Sequence, residues 1–270
     1  MSGALATPAR ARSAAVTAGL PSRHAGLWAL TRVEGRRLVL HPLFLLGVAF
    51  SVLFFVTTDS QSVDRYQDPA GFAFQQPGIA LWTFLVAFLA AQRARRDAAE
   101  DLYGSVPVPT RTRTAAVLLS LACGAAATAL VTAIAWLFMV GLDGVVVIEG
   151  RRLRPGLLEL AQGPLLVLTF GALGVLVARW APRTFAGPLG MFLLFMPPLG
   201  WLPWVVLEPR IPDANVATGA SIEWHLALLA GLGLLAGALA LWRDDRRARI
   251  VLLALAGLAA AVAGAALHLP

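Results

Sequence analysis

The chain has 270 residues, of which 58% are hydrophobic and only 14% charged, and its formal net charge is +7. Soluble domains carry about 25% charged residues, so this composition excludes an ordinary soluble fold and points to a membrane protein. All 22 basic residues are arginines, set in short runs between apolar stretches. That pattern orients a membrane protein rather than forming the basic patch that nucleic acid requires, and no nucleic-acid partner is expected.

Residues 1–26 contain Arg10, Arg12, Arg23, Pro8 and Pro21 among small residues, with no apolar run long enough for a signal-peptide core. They read as a flexible cytoplasmic tail. Residues 27–41 mix Trp28, Leu30, Val33 and Leu38 with Arg32, Glu34, Arg36 and Arg37. Trp and Arg both favour the headgroup level, so this segment is expected to lie at the interface as a helix. Residues 42–270 form the transmembrane domain. Pro42 introduces the first span, where a missing N–H costs nothing.

The apolar stretches run to between about 15 and 29 residues, and roughly 20 cross a bilayer as a helix. They are rich in Leu and Ala and do not alternate with period two, which excludes a membrane barrel. Spans are predicted at about 43–58, 77–91, 114–142, 156–178, 184–207, 222–242 and 250–267. The expected fold is therefore all-α: a polytopic transmembrane bundle of six to seven spans with an N-terminal interfacial helix. With the N-terminus inside, 17 arginines fall in inner segments and five in outer ones, Arg65, Arg151, Arg152, Arg154 and Arg210. This asymmetry predicts a multi-pass protein of the plasma (inner) membrane with a cytoplasmic N-terminus. The triplet at 151–154 has no explanation in that scheme.

The inner loop 93–113 is longer than a chain reversal needs. Arg93, Arg95 and Arg96 close the second span. Asp97 to Tyr103 reads as a short helix, acidic at its start where the helix dipole favours negative charge. Gly104 stops it, and Pro107 and Pro109 force an extended strap. At 100° per residue, Asp97, Glu100, Asp101 and Gly104 share one face, and Leu102 and Tyr103 lie elsewhere. A carboxylate face suits a basic groove on a partner, and the Leu–Tyr pair suits an apolar pocket.

Other candidates lie within the spans. Pro197 and Pro198 remove two adjacent donors and must kink the fifth span, as a pathway feature or as a packing kink. Glu159, Glu223 and His225 are the ionisable residues inside predicted spans and functional candidates by default, Glu159 and His225 as pathway residues; all lie near outer ends, where they can instead snorkel to water. Gly233 and Gly237 form a small-xxx-small pair. The single cysteine, Cys123, leaves no intramolecular disulfide and no thiol metal site. Without lysine there is no GxxxxGK[ST] phosphate loop, and HExxH and G-x-S-x-G are absent. No catalytic residue, cofactor or metal is expected.

The acidic pair followed by Leu102, the Ser-Val-Pro-Val-Pro strap at 105–109 and the basic residues before a long Ala/Leu span resemble permeases of type-2 ATP-binding-cassette exporters. The resemblance extends over about residues 27–242. It implies that 97–103 is the coupling helix that docks into a separate ATPase subunit and that 27–41 is the connecting helix. It further implies an assembly with a second permease, as a homodimer or heterodimer. In that family the core has six spans with both termini inside, from which a seventh span here would depart. The rival readings are a non-transporting assembly or regulatory subunit and a membrane-embedded lipid-modifying enzyme. The enzyme predicts clustered acids, bases or metal ligands at one face, and the sequence offers none.

Overall fold

A computed structural model describes residues 23–58, 77–96, 109–141, 146–148, 151–153, 157–195, 222–244 and 246–268. Within these, the chain forms α1 (Arg23–Val39), α2 (Pro42–Thr58), α3 (Pro77–Arg96), α4 (Thr110–Gly141), β1 (Val146–Ile148), β2 (Arg151–Leu153), α5 (Leu157–Trp180), α6 (Ala186–Phe195), α7 (Ile222–Trp242) and α8 (Ala248–His268). The fold is a helical bundle. Its one sheet among the described residues is the antiparallel pair β1–β2, with Val147 opposite Arg152. The arginines at 151–153 thus lie on a hairpin strand ahead of α5.

Among the described residues, four helices are long and apolar enough to cross a membrane, α4, α5, α7 and α8, and the bent pair α1–α2 passes the same test when taken together. The helices at the first and second predicted spans are shorter. The apolar part of α3 is Gly78–Arg93, and α2 has 17 residues. Helices α1 and α2 meet at a 49° bend at residues 40 and 41. The bend has a local cause. Pro42 cannot donate to a helix continuing from α1, and His41 Nδ1 instead accepts from the Leu43 N–H at 3.2 Å, capping α2. Helix α6 is ten residues long and covers the first part of the predicted fifth span. The rest of that span, with Pro197 and Pro198, lies outside the described residues. So do the tail 1–22 and the segment 97–108.

Helix α5 is the centre. It packs on α3, α4 and α7, and 56% of its best apolar window is buried against 22% for α8. Small residues allow this. A Cβ at Gly174 would lie 2.2 Å from the Phe84 carbonyl oxygen, so α3 and α5 touch at backbone distance. Leu121 of α4 fills the space over Gly171. The core gathers Phe44, Phe84, Leu121, Leu166, Val167, Phe170 and Leu229 from five helices.

Helix α8 packs on α7 through Gly231, Gly257 and Gly264, each facing backbone of the other helix. Of the pair singled out by sequence, Gly233 allows a close approach and Gly237 does not. Gly233 faces Thr169 of α5, and Gly237 meets only the Leu118 side chain at ordinary contact distance.

Candidate functional site

Polar contacts concentrate at the arginine-rich end of the bundle. Helix α3 ends in Arg93, Arg95 and Arg96. The Arg93 guanidinium donates to both Glu34 oxygens, at 3.1 and 3.0 Å, joining the last turn of α3 to the middle of α1. Glu34 also accepts from Arg37 one turn on. The Glu34 side chain is 14% exposed, so the pair is only weakly screened by water. One residue before Arg93, buried Gln92 donates to the Arg183 carbonyl at 3.4 Å, tying α3 to the α5–α6 turn.

A second knot holds α4, α5 and α7. Asp244 accepts from Thr114 at 2.7 Å and pairs with Arg179. Arg179 and Asp244 side chains are 18% and 7% exposed. The three helix ends are therefore locked through one carboxylate. Beside it, Trp180 and Trp242 stack with centroids 6.2 Å apart. Trp180 Nε1 donates to the Leu239 carbonyl, which fixes the indole. The guanidinium of Arg243 lies 5.9 Å from the Trp180 ring and that of Arg246 lies 6.0 Å from the Trp242 ring. Both distances are in the range of a cation–π contact.

His41 lies at the α1–α2 bend. Burial, and then the positive charge of Arg93, hold its pKa below the ordinary value. Both causes disfavour the imidazolium, consistent with Nδ1 acting as an acceptor.

The opposite end of α4, α5 and α7 carries an apolar groove of about 420 Å³, lined by Ala129 and Ala133, by Leu160, Ala161 and Pro164, and by Leu226. Pro164 lacks the N–H that would meet the Leu160 carbonyl, so the groove wall carries a weakened helical turn. Buried polar side chains lie on the same three helices: Thr132, Glu159, Gln162 and His225. The Thr132 hydroxyl has no hydrogen-bond partner among the described residues.

Of the two readings open for Glu159 and His225, snorkelling to water does not occur. Glu159 is 5% exposed and His225 is fully buried, because both lie on the helix faces that meet within the bundle. Glu223, two residues before His225, is exposed as expected. Asp97, Glu100, Asp101, Leu102, Tyr103, Pro197 and Pro198 lie outside the described residues, so the structure brings none of them together. The Arg179–Asp244 pair and the two tryptophans were missed in the sequence. The signal was present: Arg-Trp at 179–180 and Trp-Arg at 242–243 each close a span. Among the described residues, no three His, Cys, Asp or Glu side chains gather where they could hold a metal ion.

No family model, curated protein or solved structure matches this chain.

Proposed function

We propose that the chain is the transmembrane permease subunit of an ATP-driven exporter, working with a separate ATPase subunit and a second permease, identical or paralogous. The observation that carries this reading is the Glu34–Arg93 bridge. It ties α1 to the last turn of α3, directly before segment 97–108. An ATPase pulling on that segment would move α1 and α3 together. The 49° joint at His41 gives α1 a pivot against α2. The knot at Asp244 joins α4, α5 and α7, on which α1 and α3 pack, so a pull on segment 97–108 would reach the whole bundle.

In this reading, Asp97, Glu100 and Asp101 face a basic groove on the ATPase, and Leu102 and Tyr103 enter an apolar pocket. The bundle has six to seven spans in the plasma membrane. Helices α2 and α3 pack on each other as two short spans, and α6 opens a span kinked at Pro197 and Pro198. The arginine-rich end faces the cytoplasm, following the distribution of arginine along the chain. Nothing in this chain does covalent chemistry; ATP hydrolysis belongs to the partner. Glu159 and His225, buried on two of the helices that line the groove, are the candidates for contact with cargo.

The test is affinity purification in mild detergent followed by mass spectrometry of what accompanies the chain. An ATP-binding-cassette subunit in near-stoichiometric amount is expected. Its absence, with other membrane proteins present instead, would favour an assembly or regulatory subunit.

A further inference from the structure

The arginine-rich end carries more positive charge than the fold uses. Segments 179–183 and 243–249 hold six arginines, Arg179, Arg183, Arg243, Arg246, Arg247 and Arg249, against Asp244 and Asp245. Asp244 is occupied by Arg179 and Thr114, and Asp245 lies outside the described residues. Arg183, Arg243, Arg246 and Arg249 are exposed. Two of these guanidiniums are held in place: Arg243 by the Trp180 ring and carbonyl, and Arg246 by the Trp242 ring. A guanidinium fixed by a ring loses less freedom when it binds an anion, and its fork of N–H donors matches phosphate oxygens. The first turn of α8, where a helix favours an acid, has none and carries Arg249 instead.

Apolar surface adjoins these charges. Trp180 is 49% exposed and Leu252 is 64% exposed. Leu252 is three residues, about 4.5 Å of helix rise, beyond Arg249. Phe185, two residues after Arg183, is also exposed. Cations above, tryptophans at the boundary and an apolar face beneath match a phospholipid with an anionic head. A soluble anion would use only the first of these.

We infer that the cluster formed by Trp180, Trp242, Arg243 and Arg246 is a binding site for the phosphate head of an acidic phospholipid in the leaflet at the arginine-rich end. Because the site bears on the Arg179–Asp244 knot, a bound lipid would brace the junction of α5 and α7. The inference needs the arginine-rich end to meet a leaflet, and it stands or falls independently of any ATPase.

The experiment is native mass spectrometry of the purified full chain in detergent, titrated with dioleoyl phosphatidylglycerol or dioleoyl phosphatidylcholine. The wild type is expected to prefer phosphatidylglycerol roughly thirtyfold, as two guanidiniums facing a net negative head group instead of a zwitterion imply. Arg243→Gln with Arg246→Gln should reduce that preference to near unity. Arg32→Gln with Arg36→Gln removes the same charge from α1 and should leave it intact. Inorganic phosphate should not displace the bound lipid. Should the Arg243/Arg246 variant fail to fold, Arg183→Gln with Arg249→Gln is expected to weaken the preference by a smaller factor. Equal binding of both lipids by the wild type would overturn the site. So would equal losses in the α1 control, an undiminished preference in every cluster variant, or displacement by phosphate.

Discussion

Helix α8 is held chiefly by α7, and the contact is made backbone to backbone, so a single methyl group should report on it. A Cβ at Gly257 would lie 2.6 Å from the Leu235 nitrogen and 2.9 Å from the Gly231 carbonyl oxygen. Neither atom can rotate away, so α8 must move. Overpacking of this kind costs about 1–3 kcal/mol, and the better helix propensity of alanine returns at most about 1 kcal/mol. Gly257→Ala should therefore destabilise by about 1–2 kcal/mol. Gly237→Ala should do the opposite. Its Cβ would meet Leu118 methyls at 3.8 Å, an ordinary contact with a side chain that can adjust. There the propensity gain, up to about 1 kcal/mol, is unopposed. Gly26→Ala, with nothing within 4 Å, is the control for propensity alone. The assay is thermal unfolding of the three purified variants in one detergent, followed by circular dichroism. Gly237→Ala at or above wild type with Gly257→Ala clearly below is the expected order. Equal stabilisation by both substitutions would show that α7 and α8 do not approach at backbone distance.

Asp244→Asn leaves Arg179 charged with its carboxylate partner removed at a site only 18% exposed, and should cost about 3 kcal/mol; the double replacement Arg179→Met with Asp244→Leu should cost less than the single one in the same unfolding assay. Glu34→Arg should loosen α1 from α3 and raise protease cleavage near the α1–α2 bend, and adding Arg93→Glu should reverse much of that effect by restoring the pair. His41 has a folded pKa below its ordinary 6.5, so its neutral form is the one the fold prefers; stability from this group is complete above pH 6.5 and declines as pH falls below it, when the unfolded chain takes up the proton first. Melting temperatures across pH 5–8 should therefore fall on the acid side more steeply for the wild type than for His41→Asn, and parallel curves would remove His41 from the account.

Much of the bundle was legible because long apolar runs bounded by Pro and Arg leave little choice. Pro42 opens α2, Thr110 opens α4 just after Pro109, and α7 coincides with the predicted span 222–242. What a run of apolar residues cannot encode is rotation about its own axis. Glu159 and His225 lie near span ends, where they could have turned to water, yet both turn inward because α4, α5 and α7 converge on their faces. The glycine contacts were only partly legible for the same reason. The four-residue spacing of Gly233 and Gly237 was visible, but which glycine faces which helix depends on how α7 is rotated against α4, α5 and α8. Long-range pairs such as Glu34–Arg93 and Arg179–Asp244 join residues 59 and 65 positions apart, beyond what local patterning can register. The proposed coupling role of 97–103 and the expected kink at Pro197 and Pro198 rest on the sequence alone.

The central claim is that this chain transmits the work of a separate ATPase, and the most direct measurement is ATP hydrolysis by affinity-purified material. Purified through this chain in mild detergent, the wild type should bring magnesium-dependent ATPase activity with it. Tyr103→Ala combined with Glu100→Arg removes an apolar anchor and reverses one charge on the proposed docking face. Anchors of this kind cost about 2 kcal/mol or more when truncated, roughly thirtyfold in affinity. The variant should retain little of the activity at unchanged yield of the chain. Undiminished activity in the variant would show segment 97–103 to be an ordinary connection, and no activity with the wild type would contradict the exporter reading itself.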